Sequence, residues 1–106
     1  MRIDILTVVP ELLESPLNHS IVQRAKNKGL VEIHIHDIRE YGKGNYHQVD
    51  DYSYGGDAGM ILMIEPIYKL ISKLKSEREY SEIIYMSPDG EVLNQGIANK
   101  LSCMEN

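Results

Sequence analysis

The chain has no tryptophan, no phenylalanine and a single cysteine, Cys103, among 106 residues. One cysteine excludes an internal disulfide framework and suits a reducing cytosol. Its expected role is that of a small apolar side chain buried on a helix. No apolar run approaches the roughly 18 residues of a membrane span. The start, Met1 to Leu6, runs straight into a strand pattern without signal-peptide architecture. Basic residues are also scarce, 11 Lys and Arg against 16 Asp and Glu, for a net charge of −5. A broad basic face of the kind that grips nucleic acid is therefore not expected, and any RNA contact must be local. With the other aromatics absent, seven tyrosines do their work. Tyr41, Tyr46, Tyr52 and Tyr54 crowd the central segment. There a phenol can stack on a base and hydrogen-bond at its tip, or cover a loop against the core.

What is present fits one ordinary globular domain, 42% apolar and 25% charged. Ile3 to Val9 is almost continuously apolar and β-branched, which predicts a strand covered on both faces. Pro10 opens a short helical turn through Leu13. A second helix is expected with Ser20 and Gln23 as a capping box, Ile21, Val22 and Ala25 on its apolar side, and Gly29 as its stop. Leu30 to His36 alternates strictly, with Val31, Ile33 and Ile35 on one face and Glu32, His34 and His36 on the other. Two histidines on one strand face could hold a metal, but no third ligand is evident nearby. His19 and His47 have no partner that the sequence identifies.

Residues 38 to 60 lack a clear period, and a connection this long tends to carry function or to be disordered. Glu65-Pro66 starts the clearest helix, with Ile67, Leu70, Ile71 and Leu74 in one stripe. A strand is expected over Glu82 to Met86, then a turn at Ser87-Pro88-Asp89-Gly90. A last helix follows, capped by Asn94 and carrying Ile97, Ala98 and Leu101. Alternating strands and helices imply an α/β domain with an open, mainly parallel sheet and flanking helices. The pattern ends on a helix that would ordinarily feed another strand, so a cut-off domain is expected, with self-association or disorder near Leu101 to Asn106.

Val49-Asp50-Asp51-Tyr52-Ser53-Tyr54-Gly55-Gly56-Asp57-Ala58-Gly59-Met60 is the most telling stretch. Glycines let a flat base or a phosphate approach the main chain, and the neighbouring acids and phenols can bond what arrives. Such clusters also mark ordinary turns. In order and spacing, this stretch, Ile3 to Leu13, and Ile84 to Gly90 together resemble the N-terminal part of the bacterial tRNA (guanine-N1)-methyltransferase (TrmD) family. The resemblance covers all 106 residues but only about the first half of a family member.

It implies a trefoil-knotted SPOUT methyltransferase domain, cut before the knot is complete, with the remaining knot strands and a C-terminal tRNA-binding domain absent. It further implies a cytoplasmic homodimer that moves a methyl group from S-adenosylmethionine to N1 of the guanosine 3′ to the anticodon of tRNA. By the same resemblance, Tyr85, Met86, Ser87 and Pro88 form the first wall of the cofactor pocket, and Asp50, Gly55, Gly56 and Gly59 lie near the target nucleotide. The catalytic base would belong to the half not represented, and the resemblance allows for magnesium in the parent enzyme. The loop departs from the family pattern at Ser53, usually proline, and at Asp57, usually a third glycine. Two readings stay open beside this one. The first is an RNA-binding or dimerisation module that has lost catalysis. The second is a metal-dependent hydrolase using Asp50, Asp51 and a histidine.

Overall fold

A computed structural model of the chain describes residues 1–42, 50–52, 60–62 and 64–106. The opening apolar run forms β1 (Arg2–Thr7), and the alternating run forms β2 (Glu32–Asp37). The two pair in parallel, with Arg2 opposite Glu32, Asp4 opposite His34 and Leu6 opposite His36. Between them stand two short helices, α1 (Glu11–Leu17) and α2 (Ser20–Asn27). After β2 come a 3₁₀ turn (Ile38–Tyr41), the strands β3 (Asp50–Tyr52) and β4 (Met60–Leu62), α3 (Ile64–Glu77) and α4 (Gln95–Ser102). The α/β class is as expected. The described sheet structure is smaller than the expected open sheet. It consists of one parallel pair, β1–β2, and one antiparallel pair, β3–β4.

Pro10 precedes α1 with helical φ and ψ, so the proline fixes the entry of the helix from its cap position. The helix runs four residues beyond the expected turn and includes Pro16. Its end is satisfied by side chains that follow it. Asn18 Nδ2 donates to the Glu14 carbonyl at 2.6 Å. His19 Nδ1 reaches the Ser15 carbonyl at 2.6 Å, which gives this histidine its partner. Lys26 Nζ donates to the Leu17 carbonyl at 3.4 Å, where a cation also suits the negative end of the helix.

The capping box at the start of α2 is not formed. Ser20 has φ +57°, a left-handed conformation rare for a residue with a Cβ, and His19 occupies the cap without a side-chain bond. Gln23 turns forward and donates to Asn27 Oδ1 at 2.8 Å, one turn on, instead of reaching back. Gly29, at φ +72°, ends α2 as expected, since only glycine takes this conformation without strain.

The core sits between α3 and the β2–3₁₀ corner. Leu70, Leu74 and Ile38 are buried together, with Leu6, Val8, Tyr41, Ile67 and Tyr80 packed around them. The expected stripe on α3 is borne out at Leu70 and Leu74, and Pro66 is buried with them in the first turn. Other apolar positions are less covered. Ile3 on β1 is 40% exposed, so that strand is not sheathed on both faces. Ile21 on α2 is exposed as well. Asn94 caps α4 as its sequence implies, its Oδ1 accepting from the Ile97 amide at 2.9 Å. Cys103, expected to be buried, is exposed just past that helix, because the apolar side of α4 is Ile97, Ala98 and Leu101.

The expected strand over Glu82 to Met86 is not formed. A strand exists by virtue of a hydrogen-bonded neighbour, and among the described residues none lies beside this run. Of the self-association or disorder expected near Leu101 to Asn106, the disorder is not seen at residues 105 and 106, which are tied down. The Arg2 amide donates to the Glu105 carbonyl at 2.7 Å, and Arg78 Nη1 donates to Asn106 Oδ1 at 2.9 Å.

Leu70, 1% exposed, is the centre of this small core. Leu70→Ala should destabilise the chain by about 2–5 kcal/mol, the usual range for opening a cavity at a fully packed leucine. Urea denaturation followed by circular dichroism measures it. A loss under about 1 kcal/mol would mean that the site collapses around the gap and that the packing is looser than described.

Candidate functional site

β1 carries a carboxylate, Asp4, in the middle of an apolar run, and the structure builds a polar cluster around it. Arg2, two residues earlier on the same face, donates through Nε to Asp4 Oδ2 at 3.1 Å and through Nη2 to Oδ1 at 3.0 Å. His36, from the neighbouring β2, places Nε2 2.7 Å from Oδ1. Since an ionised carboxylate only accepts, that nitrogen carries the proton. Tyr80, 76 residues along the chain, donates its hydroxyl to Oδ2 at 2.7 Å. The Asp4 side chain is 3% exposed.

Burial pushes the Asp4 carboxyl up, but the hydrogen bonds from Arg2, His36 and Tyr80 outweigh it and hold the pKa at about 2. Burial pushes the Tyr80 phenol up in turn, and its bond to the Asp4 carboxylate adds to this, bringing it to about 12. Bonding to Asp4 likewise raises the Arg2 guanidinium. The cluster is therefore a fixed ion pair with a neutral phenol at ordinary pH. It is suited to holding three parts of the chain in register and not to passing protons. His34 shares a face of β2 with His36 as expected, and pairs there with Glu32 Oε2 at 3.4 Å near the surface.

Tyr85, Met86 and Ser87 end the irregular stretch 82–87, and Pro88 opens the turn that follows. Tyr85 and Met86 are 86% and 83% exposed. The turn that follows is the expected one, the Gly90 amide donating to the Ser87 carbonyl at 3.1 Å. The Asp89 amide also donates to Ser87 Oγ at 3.3 Å, which tightens the corner. Asp50 begins β3 and pairs with Leu62 of β4, so the acidic residue stands at one base of a hairpin whose connection is the glycine-rich loop. Gly55, Gly56 and Gly59, with Ser53 and Asp57, lie outside the described residues.

The residues named from sequence therefore fall on two separate pieces, a hairpin stem and an exposed corner. The cluster at Asp4 was not anticipated. Its local signal was present, a charged residue at the centre of a β-branched strand, but Tyr80 could not be paired with it by spacing.

The whole chain, residues 1–106, matches the family model described as tRNA (Guanine-1)-methyltransferase TrmD. The chain belongs to this family. A protein of Christiangramia forsetii named tRNA (guanine-N(1)-)-methyltransferase is 65% identical over 106 residues, all of this chain and 47% of that protein. A protein of the same name from Flavobacterium johnsoniae is 62% identical over the same span, again 47% of its length. Among solved structures, tRNA (m1G37) methyltransferase from Aquifex aeolicus is similar with a TM-score of 0.85 and 36% identity, over 95% of this chain and 45% of that one. The chain thus spans about half the length of the curated relatives it matches. No described helix is long and apolar enough to cross a membrane.

The Asp4 cluster gives a pH dependence of known sign. The folded pKa of about 2 lies below the ordinary 3.8. The stabilisation is therefore complete above about pH 4 and is lost as pH falls through about 2; its size is about 2 kcal/mol. Asp4→Asn should destabilise the chain at pH 7 by at least that amount, and the gap from wild type should close towards pH 2. Urea titrations at pH 7, 4 and 2 test this. A gap independent of pH would show that the carboxylate charge is not what stabilises the fold.

Proposed function

We propose that this chain is the N-terminal part of an enzyme that transfers a methyl group from S-adenosylmethionine to N1 of the guanosine 3′ to the anticodon of tRNA. The observation that carries the reading is that the family's model is matched from residue 1 to residue 106. The fold likeness to the Aquifex enzyme over 95% of the chain supports it. S-adenosylmethionine would supply an activated methyl group on a sulfonium centre. In this reading the chain's own residues bind and orient, and the base belongs to the other half of the protein.

The run 82–88 fits a donor-binding wall. Ile83, Ile84, Tyr85 and Met86 are exposed there, where a ligand can reach them. Tyr85 and Met86 offer a ring and a soft thioether to an adenine or to the donor's own sulfur-bearing arm. The Ser87–Gly90 turn gives the wall a fixed end. Asp50 and the glycines 55, 56 and 59 would meet the guanosine. Glycines allow close approach to the backbone, and a carboxylate can accept from the donor groups of a guanine edge. Asp57 adds negative charge there, which favours a base edge over a phosphate as the group admitted.

The same reading makes the whole protein a cytoplasmic homodimer with a SPOUT-type trefoil knot completed beyond this part. Magnesium is a further ligand it allows. A net charge of −5 leaves the grip on tRNA to other parts of the whole protein.

Incubation of the whole protein with labelled S-adenosylmethionine and a tRNA bearing guanosine 3′ to its anticodon should yield 1-methylguanosine at that position. The 106-residue chain alone should yield none above blank. Absence of product from the whole protein would overturn the reading, and product from the chain alone would overturn its assignment of the base elsewhere.

A further inference from the structure

The exposed corner that carries Tyr85 to Pro88 makes few bonds of its own, so its position depends on what holds the chain on either side. On the N-terminal side, Tyr80 is, among the described residues, the last bound to the body of the fold, through its hydroxyl to Asp4 Oδ2 at 2.7 Å. Its ring packs with Ile38, Leu70 and Leu74. On the C-terminal side the chain returns to the same strand, where the Glu105 carbonyl accepts from the Arg2 amide at 2.7 Å. The two sides are also stitched to each other. Asn106 Nδ2 donates to the Glu79 carbonyl at 3.2 Å, and Arg78 Nη1 donates to Asn106 Oδ1 at 2.9 Å. The excursion from 81 to 104 thus closes at its base, and that base is docked on β1 through Asp4 and Arg2.

We propose that Tyr80 is a positioning residue for the methyl donor: its hydrogen bond to Asp4 fixes the base from which the 82–88 wall projects. The inference rests on the reading of that wall as the donor's site. The bond suits this work because both partners are constrained. Asp4 is gripped at both oxygens by Arg2 on its own strand, so the acceptor cannot swing to follow a displaced tyrosine. A hydroxyl donating to a buried carboxylate is also stronger than a neutral pair. Only two residues separate Tyr80 from Ile83, so a shift at the phenol is carried into the wall with little chain to absorb it.

The variant that isolates the bond is Tyr80→Phe, which keeps the ring packed against Leu70 and Leu74 and removes the hydroxyl. His36→Leu is the comparison, because it removes a different donor from Asp4 and lies on β2, away from the base of the excursion. Both are made in the whole protein. Binding of S-adenosylmethionine is measured by calorimetry, KM for the donor and for tRNA by turnover, and Tm by scanning calorimetry. Tyr80→Phe should weaken donor binding and raise the donor KM by about tenfold, the equivalent of one charge-assisted hydrogen bond. The tRNA KM should stay within about twofold of wild type. His36→Leu should lower Tm and leave donor affinity within about twofold. Unchanged donor affinity in Tyr80→Phe would overturn the inference, as would an equal loss in His36→Leu, which would make the cluster merely stabilising. A wild-type protein that does not bind S-adenosylmethionine would instead overturn the functional reading on which the inference stands.

Discussion

A carboxylate taken almost wholly out of water has to be compensated by its neighbours, and at Asp4 every neighbour comes from a different part of the chain. Arg2 is on the same strand, His36 on the next, and Tyr80 beyond the longest helix. An unpaired buried charge would cost several kcal/mol, so the three elements must all be in place for any of them to be stable there. This makes the cluster a constraint on register as well as a source of stability. A one-residue slip of β2 against β1 would carry His36 to the opposite face and strip Asp4 of a donor.

The hydrophobic core is placed to share that task. Leu6 lies on the Asp4 face of β1 and packs against Leu70 and Leu74, while Tyr80 reaches both the core and the carboxylate. Polar and apolar contacts therefore converge on one surface of a two-stranded parallel pair. The segment that follows Tyr80 leaves this surface and exposes Ile83, Ile84, Tyr85 and Met86. A rigid base with an open wall projecting from it is a sound arrangement for a binding edge, since the wall can be accessible without being unanchored.

The sequence made the local chemistry legible and the long-range chemistry obscure. The runs of β1 and β2, the Gly29 stop, the Asn94 cap, the Leu70–Leu74 stripe and the Ser87–Gly90 turn are all set by residues within a few positions of one another. Where reasoning failed, something remote intervened. His36 read as a member of a solvated face, but Asp4, 32 residues away, claims it. Ser20 read as a cap, but it takes φ +57° inside the first turn, and His19 stands at the cap. Residues 82–86 have strand composition and no strand beside them among the described residues. The β3–β4 hairpin was missed because three-residue strands are too short to show a period. Of the candidate site, Tyr85–Pro88 was named from family likeness and lies at an exposed corner, and Asp50 sits at the hairpin stem, whereas the Asp4 cluster has no motif to reveal it.

The central claim, that three donors hold a buried Asp4 ionised and fix the fold around it, can be read at the carboxyl group itself. Carbon-13 NMR of the Asp4 side chain, followed from pH 7 down to the onset of acid unfolding, should show a midpoint at about 2. A midpoint at or above the ordinary 3.8 would mean that burial prevails over the hydrogen bonds, and that the cluster does not hold the charge on which this account depends.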